Sequence, residues 1–193
     1  MPKEEVPRFC PKNRGEWREW LSKNHLSQKS IWLVYYKAKS KKHNLSWEDA
    51  VEEALCYGWI DSLKKSIDEE SFMQFFSPRK AKSNWSKINK AKIKELQESG
   101  LMTDAGMASV NIAKENGFWT YLDPVEDLIV PKDLEDAFQN HPGSKSFYDS
   151  QSNSVKKMFL YWILSAKKTE TRQKRILEIV ENASNKLKPK AFR

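Results

Sequence analysis

Glycine and cysteine are both scarce in this 193-residue chain, which has six glycines and two cysteines. The few glycines form no phosphate-binding loop and no dinucleotide-binding fingerprint, which disfavours nucleotide-dependent chemistry in a standard fold. Cys10 and Cys56 have no partner at metal-ligand spacing, so we interpret both as reduced thiols. No apolar run approaches the ~18 residues that a membrane-spanning helix needs, and the first residues lack the apolar core of a signal peptide. We therefore expect a cytoplasmic protein without a membrane span.

Recognisable catalytic signatures are missing as well. The three histidines, His25, His43 and His141, are flanked by polar or turn-forming residues, and no two of them share helix or strand spacing. This pattern predicts no metal site. No serine lies in a nucleophile elbow, and neither cysteine has an obvious base. We accordingly expect no cofactor, and the sequence favours a binding protein over an enzyme.

Basic and aromatic residues are abundant instead. The 34 Lys and Arg exceed the 26 Asp and Glu, which gives a formal net charge of +8. Such an excess suits acidic partners, nucleic acid or an anionic membrane surface, although a lysine-rich solubilising surface accounts for it equally. Eight tryptophans, nine phenylalanines and six tyrosines supply the apolar area of a core that needs no disulfide or metal.

Apolar periodicity predicts an α+β fold with a small antiparallel sheet. About three strands are expected, at 31–37, 59–63 and 72–76, and an acidic loop joins the last two as a hairpin. Helices at the N-terminal end should cover the sheet, with Asn13 and Ser46 as N-caps and Gly58 as a left-handed C-cap. Beyond residue 83 the patterns predict helices only. The predicted organisation is an extended lead-in at 1–12, an α+β domain at 13–82, a helical region packed on it at 83–187, and a frayed basic tail at 188–193.

The stretch from Glu53 to Trp85 combines aromatic and charged residues at close spacing, so we expect a site there. Asp61 lies within an apolar strand, and it needs Arg79 or backbone donors if it faces the core. One interpretation is a structural Asp61–Arg79 ion pair. The other is a pocket in which a helix that starts at Ser83 offers free N–H groups to an anion. The candidate ligand-binding residues are Trp59, Asp61, Arg79, Lys80, Ser83 and Trp85.

A run of basic residues follows this stretch. Residues 77–99 contain seven Lys or Arg and two acids, at positions that suit a helix with a separate apolar face. Such a helix could contact phosphate groups, and a solvated helix surface explains the same pattern without a partner. The weaker candidates for polyanion binding are Lys82, Lys87, Lys90 and Lys94.

A family resemblance is carried by four stretches, which are EALCYGWIDS, FFSPRKAKSNWSKINKAKIKEL, GLMTDAGMASVNIAKENGFW and KKTETRQKRI. They resemble the YdeI/OmpD-associated (bacteriocin-protection, OmdA) family over roughly residues 13–185. The N-terminal half is also distantly similar to YdhG-like domains of unknown function. The resemblance implies a bacterial, cytosolic protein linked to stress and bacteriocin tolerance, and it implies no reaction, ligand or cofactor. Residues of the family pattern, which could serve a site or the fold, are Glu53, Gly58, Trp59, Asp61, Ser62, Pro78, Arg79, Lys80, Trp85 and Ser86.

Three functions remain open at this point. The leading one is a non-enzymatic protein that binds an anionic or aromatic ligand beside Trp59, Arg79 and Trp85. The second is an enzyme that uses Asp61 as a general base. The third is a nucleic-acid binder that uses the basic helix at 79–94.

Overall fold

The computed structural model describes residues 6–193 and separates the chain into two compact units, the first ending at Thr120 and the second spanning Tyr121–Arg193. The predicted α+β class is confirmed. The helices of the described residues are α1 (Arg14–Asn24), α2 (Trp47–Cys56), α3 (Lys87–Glu98), α4 (Asp104–Glu115), α5 (Asp123–Glu126), α6 (Lys132–Gln139), α7 (Ser144–Asp149), α8 (Asn153–Leu164) and α9 (Thr169–Ser184). The strands are β1 (Arg8–Phe9), β2 (Ile31–Tyr36), β3 (Trp59–Ser66) and β4 (Ser71–Pro78). The domain boundaries expected from sequence, at 12, 82 and 187, stay predictions.

The sheet of the first unit has the strand order β1-β2-β4-β3. The expected strands are present, and β4 pairs antiparallel with both β2 and β3, so the predicted hairpin is confirmed. The sheet is mixed rather than purely antiparallel because β1 adds a parallel edge to β2, within the predicted lead-in. Two residues are too short for an alternating pattern, which is why sequence periodicity could not reveal this strand. Residues 1–5 of that lead-in lie outside the described residues.

One face of the sheet forms the core of the first unit. Ile31, Leu33 and Tyr35 alternate along β2 and are almost completely buried, as expected for the covered side of a strand. Trp17 of α1 meets Phe76 of β4 edge-on at 5.5 Å between ring centroids. The large aromatic side chains thus fix α1 on this face of the sheet.

Helices α1 and α2 are joined by a charge network around a buried glutamate. Glu53 is 2% exposed, and its two carboxylate oxygens each lie 2.6 Å from a guanidinium nitrogen, one of Arg14 and one of Arg18. The predicted caps hold these helices in place, since the side chains of Asn13 and Ser46 accept hydrogen bonds from the first turns of α1 and α2. A buried carboxylate requires such pairing to remain charged, so Glu53 serves the fold.

Helix α4 approaches the end of α2 very closely. The side chain of Thr103, the N-cap of α4, donates a hydrogen bond of 2.5 Å to the carbonyl of Cys56. A Cβ atom at Gly106 would lie 2.2 Å from the same carbonyl oxygen, so only glycine permits this approach. This contact places one face of α4 beside the residues that link α2 to β3.

The second unit is helical and has its own core, which includes Leu134, Phe159 and Val180. The tail for which the basic composition predicts fraying contains a short 3₁₀-helix, Lys190–Phe192. The ring of Phe192 lies 5.5 Å from that of Phe159 and 5.3 Å from that of Trp162. One aromatic residue near the terminus is enough to dock the segment that charge alone suggested would fray. Among residues 6–193, every helix is too short or too polar to cross a membrane.

Candidate functional site: a cavity beside Trp59 and Arg79

A cavity of ≈ 270 Å³ opens in the first unit beside the start of β3. Its wall is formed by the end of α1, the α2–β3 connection, the segment after β4 and one face of α4. The lining residues are His25, Leu26, Tyr57, Gly58, Trp59, Pro78, Arg79, Lys80, Ala81, Ala105, Ala108, Ser109 and Ile112. The predicted site stretch therefore does adjoin a cavity, through Trp59, Arg79 and Lys80.

Trp59 forms a fixed part of the wall. It is 1% exposed, and its indole nitrogen donates a hydrogen bond of 3.2 Å to the carbonyl of His25. The preceding residue, Gly58, has the left-handed conformation predicted for it, with φ of +71°, and a Cβ there would lie 3.0 Å from the carbonyl oxygen of Ala105. The turn at Gly58 thus lets β3 start directly beneath α4.

Arg79 is the most unusual group in the lining. Its backbone N–H donates to the carbonyl of Gly58 at 2.8 Å, and its Nη1 donates to the carbonyl of Asn84 at 2.9 Å. The guanidinium carbon lies 3.7 Å from the ring centroid of Trp85, so the two planes are in cation–π contact. Its Nε and Nη2 atoms are buried and have no hydrogen-bond partner among residues 6–193.

The burial of the Arg79 side chain also changes its pKa. Burial lowers the pKa of Arg79 to about 10, and the field of Asp61 opposes that shift only in part. The side chain still carries its charge at neutral pH. The guanidinium is therefore a largely desolvated cation, with two donors that no described residue satisfies.

Asp61 does not supply that anion. Its Oδ2 accepts hydrogen bonds from Trp47 Nε1 at 3.1 Å and from Gln74 Nε2 at 3.0 Å. The expected Asp61–Arg79 ion pair is therefore wrong for the described chain, and Asp61 is outside the cavity lining. The buried amide of Gln74 satisfies the carboxylate instead, and a glutamine on the neighbouring strand gave no sequence signal for this role.

Ser83 does not start a helix. Helix α3 begins at Lys87, and its N-cap is Ser86, whose side chain accepts from the N–H of Asn89. The hydroxyl of Ser83 accepts from the N–H of Lys80 at 3.1 Å and closes a tight turn. The expected helix N-terminus near the pocket is thus wrong. Each serine lies two residues before an apolar residue, Trp85 or Ile88, so the pattern could not tell a turn from a cap.

Trp85 contacts the guanidinium of Arg79 but is not part of the cavity wall. It is 1% exposed and packs against Trp119 with 4.9 Å between ring centroids. The two tryptophans of the candidate site therefore act differently. Trp59 contacts the cavity, while Trp85 is outside the lining and contacts the guanidinium of Arg79.

The basic residues after the site are partly engaged within the protein. Lys94 lies 3.9 Å from Glu98, and the ammonium of Lys90 lies 5.7 Å from the ring centroid of Trp119. Lys82 and Lys87 are exposed. The four lysines therefore do not form one continuous surface of basic side chains that make no contacts within the protein.

Sequence reasoning missed the part of the wall that comes from distant segments. Ser109 and Ile112 of α4, with His25 and Leu26 at the end of α1, line the cavity. The hydroxyl of Ser109 donates to the carbonyl of Gly106 at 2.8 Å. No group of three or more His, Cys, Asp or Glu residues that could hold a metal ion occurs within 6–193.

Comparison with known families divides the chain in the same way as the two units. Residues 9–109 match a family model described as "Domain of unknown function (DUF8412)", and residues 127–186 match one described as "Bacteriocin-protection, YdeI or OmpD-Associated". No curated protein and no solved structure matches the chain. Of the four stretches that suggested the family, only KKTETRQKRI lies inside the second match, and the likeness to YdhG-like domains stays a prediction.

The first match spans just over half of the chain and contains nearly all of the cavity lining. The second confirms the family that the sequence resembles. The chain therefore belongs to the family defined by the DUF8412 domain of its first unit, and residues 127–186 of its second unit match the YdeI/OmpD-associated, bacteriocin-protection family model.

Proposed function

We propose that this protein is a cytoplasmic, non-enzymatic binding protein that holds a small anionic ligand in the cavity beside Trp59 and Arg79. The name of the matched family associates it with protection against bacteriocins. Ligand binding by the first unit would be its contribution to that tolerance.

The observation that carries the proposal is the state of Arg79. This side chain lines the cavity, yet two of its nitrogen atoms have no acceptor among the described residues. Leaving a buried donor unsatisfied costs about 1–3 kcal/mol, and more for a charged group. A bound anion would remove this cost, and Lys80 adds a second positive charge to the same lining.

Binding is better supported than catalysis. The proposed general base, Asp61, lies outside the lining and is held by Trp47 and Gln74. The hydroxyl of Ser109 already donates to a backbone carbonyl, and His25 Nδ1 donates to the carbonyl of Leu21 at 2.9 Å. Neither group has the base or orienting carboxylate that an activated nucleophile requires.

Ligand-observed NMR with benzoate and inorganic phosphate tests the proposal. At least one of these anions should bind the protein, and replacement of Arg79 by methionine should abolish that binding. The matched control is Arg8→Met, because Arg8 is exposed on β1 and outside the cavity. Equal binding by the two variants would contradict the proposal.

The salt dependence separates this function from nucleic-acid binding. A polyanion binder that contacts several phosphates loses affinity steeply as salt rises. The logarithm of its binding constant, plotted against the logarithm of the salt concentration, falls with a slope of about −0.9 for each phosphate contacted in duplex DNA. A cavity that holds one small anion should show a slope no steeper than about −1. A steep slope with single-stranded DNA, together with no binding of small anions, would favour the basic helix instead.

A further inference from the structure

The unused donors of Arg79 have a defined geometry. Nη1 is occupied by the carbonyl of Asn84, whereas Nε and Nη2 have no partner among residues 6–193. These two atoms form one edge of the planar guanidinium and donate in parallel. Such an edge matches two oxygens of a carboxylate or of a phosphate, both of which arginine binds through two parallel hydrogen bonds.

The rest of the lining is mostly apolar. Leu26 and Ile112 border the cavity and are 88% and 44% exposed. Trp59, Pro78 and Ala105 continue this apolar surface inward. A ligand with an apolar body would cover these side chains and remove their area from water.

The volume of the cavity and the charge of its lining limit the class of ligand further. The cavity of ≈ 270 Å³ is at the small end of ligand sites. Its described lining contains Arg79 and Lys80 but no carboxylate, so charge complementarity favours an anion. Ala105, in the first turn of α4, is part of this lining, but the lining has a single glycine and lacks the glycine-rich loop of backbone donors that is typical of phosphate sites.

From this arrangement we infer that the natural ligand is a monocarboxylate with one apolar group, of about the size of an aromatic amino-acid side chain. The carboxylate binds the Nε and Nη2 edge of Arg79, and the apolar group lies between Trp59 and Ile112. This inference rests on the proposed function and specifies its ligand class.

Entry of the carboxylate requires a small motion. The two nitrogen atoms are shielded from water, so the guanidinium must turn toward the cavity when the ligand binds. Since the guanidinium lies 3.7 Å from the ring of Trp85, that turn changes the environment of this indole. In protein labelled with 5-fluorotryptophan, the fluorine resonance assigned through Trp85→Phe should shift on binding.

Four probes test the inference on the full chain by calorimetry: phenylacetate, its neutral isostere phenylacetamide, acetate and inorganic phosphate. Phenylacetate should bind at least about tenfold more tightly than each of the others, since only it supplies both a carboxylate and an apolar body. Arg79→Lys keeps the positive charge but loses the two parallel donors of the guanidinium. It should weaken the binding of phenylacetate about tenfold. Ile112→Ala should weaken it about threefold. Ile88→Ala, which is 68% exposed on α3 and outside the lining, should have no effect.

The outcomes separate the ligand class from the proposed function. Phosphate binding as tight as phenylacetate binding, lost in Arg79→Met, would overturn the monocarboxylate and leave an anion site. Equal affinities for phenylacetamide and phenylacetate would overturn the inference that Nε and Nη2 of Arg79 bind a carboxylate. Failure of all four probes to bind in an Arg79-dependent way would overturn both. Circular dichroism of each variant establishes that it is folded, and the exposed position of Ile112 makes its variant the safest test.

Discussion

Replacing Arg79 by methionine should remove ligand binding while leaving the first unit nearly as stable as before. The fall in the pKa of Arg79 from 12.5 to about 10 corresponds to about 3 kcal/mol against the charged form in the folded protein. The hydrogen bond to the carbonyl of Asn84 offsets about 1.5–3 kcal/mol of this. The contact with the face of Trp85 offsets about 1–2 kcal/mol. Because these contributions nearly cancel, Arg79→Met should change the free energy of unfolding by less than about 1.5 kcal/mol.

Urea unfolding followed by tryptophan fluorescence is the appropriate assay. Seven of the eight tryptophans precede residue 121, so the fluorescence signal reports mainly on the first unit. Methionine keeps the unbranched length of arginine and adds no unsatisfied donor. A loss of about 3–5 kcal/mol would refute the reasoning, because that is the cost of removing one partner from a buried ion pair.

Three further predictions concern the fold and the site. Glu53→Gln should lower the free energy of unfolding by about 2–4 kcal/mol in the same assay, because it leaves two arginines without their shared carboxylate. Gly106→Ala should lower it by about 1–3 kcal/mol, because the added methyl group would lie 2.2 Å from the carbonyl oxygen of Cys56. Affinity for phenylacetate, measured by calorimetry, should stay level between about pH 6 and pH 9 and fall above about pH 10, because Arg79 binds the anion only while protonated and its lowered pKa is about 10.

Each of these predictions has a matched comparison. For Glu53 it is Glu19→Gln, since Glu19 pairs with the exposed Lys23 and this exposed pair should contribute little. For Gly106 it is Asn111→Ala, an exposed position on the same helix. Equal effects within either pair would contradict the packing described here. An affinity that falls between pH 6 and 9 would mean that another group controls binding.

The parts of the fold that follow local patterns were predictable from sequence. The alternating run in β2, the hairpin and the caps at Asn13 and Ser46 depend on residues within a few positions of one another. The left-handed residue at Gly58 is equally local. Strand β1 is different, because it forms by backbone pairing with a strand more than twenty residues away.

The candidate site could be predicted only in part, for the same physical reason. Trp59, Arg79 and Lys80 border the cavity as expected, since the hairpin brings the two ends of that stretch together. The opposite wall on α4 depends on the close approach at Gly106, and nothing near the site in sequence indicates it. The partner of Asp61 depends on strand register, which placed Gln74 within reach and left Nε and Nη2 of Arg79 without an acceptor among residues 6–193.

The most direct test of the central claim is the Nε–H resonance of Arg79 in ¹⁵N NMR spectra, recorded as phenylacetate is added. A carboxylate that accepts from Nε and Nη2 should move this resonance downfield, while phenylacetamide should leave it unchanged. An unchanged Arg79 resonance at saturating phenylacetate, with shifts confined to other residues, would contradict the account.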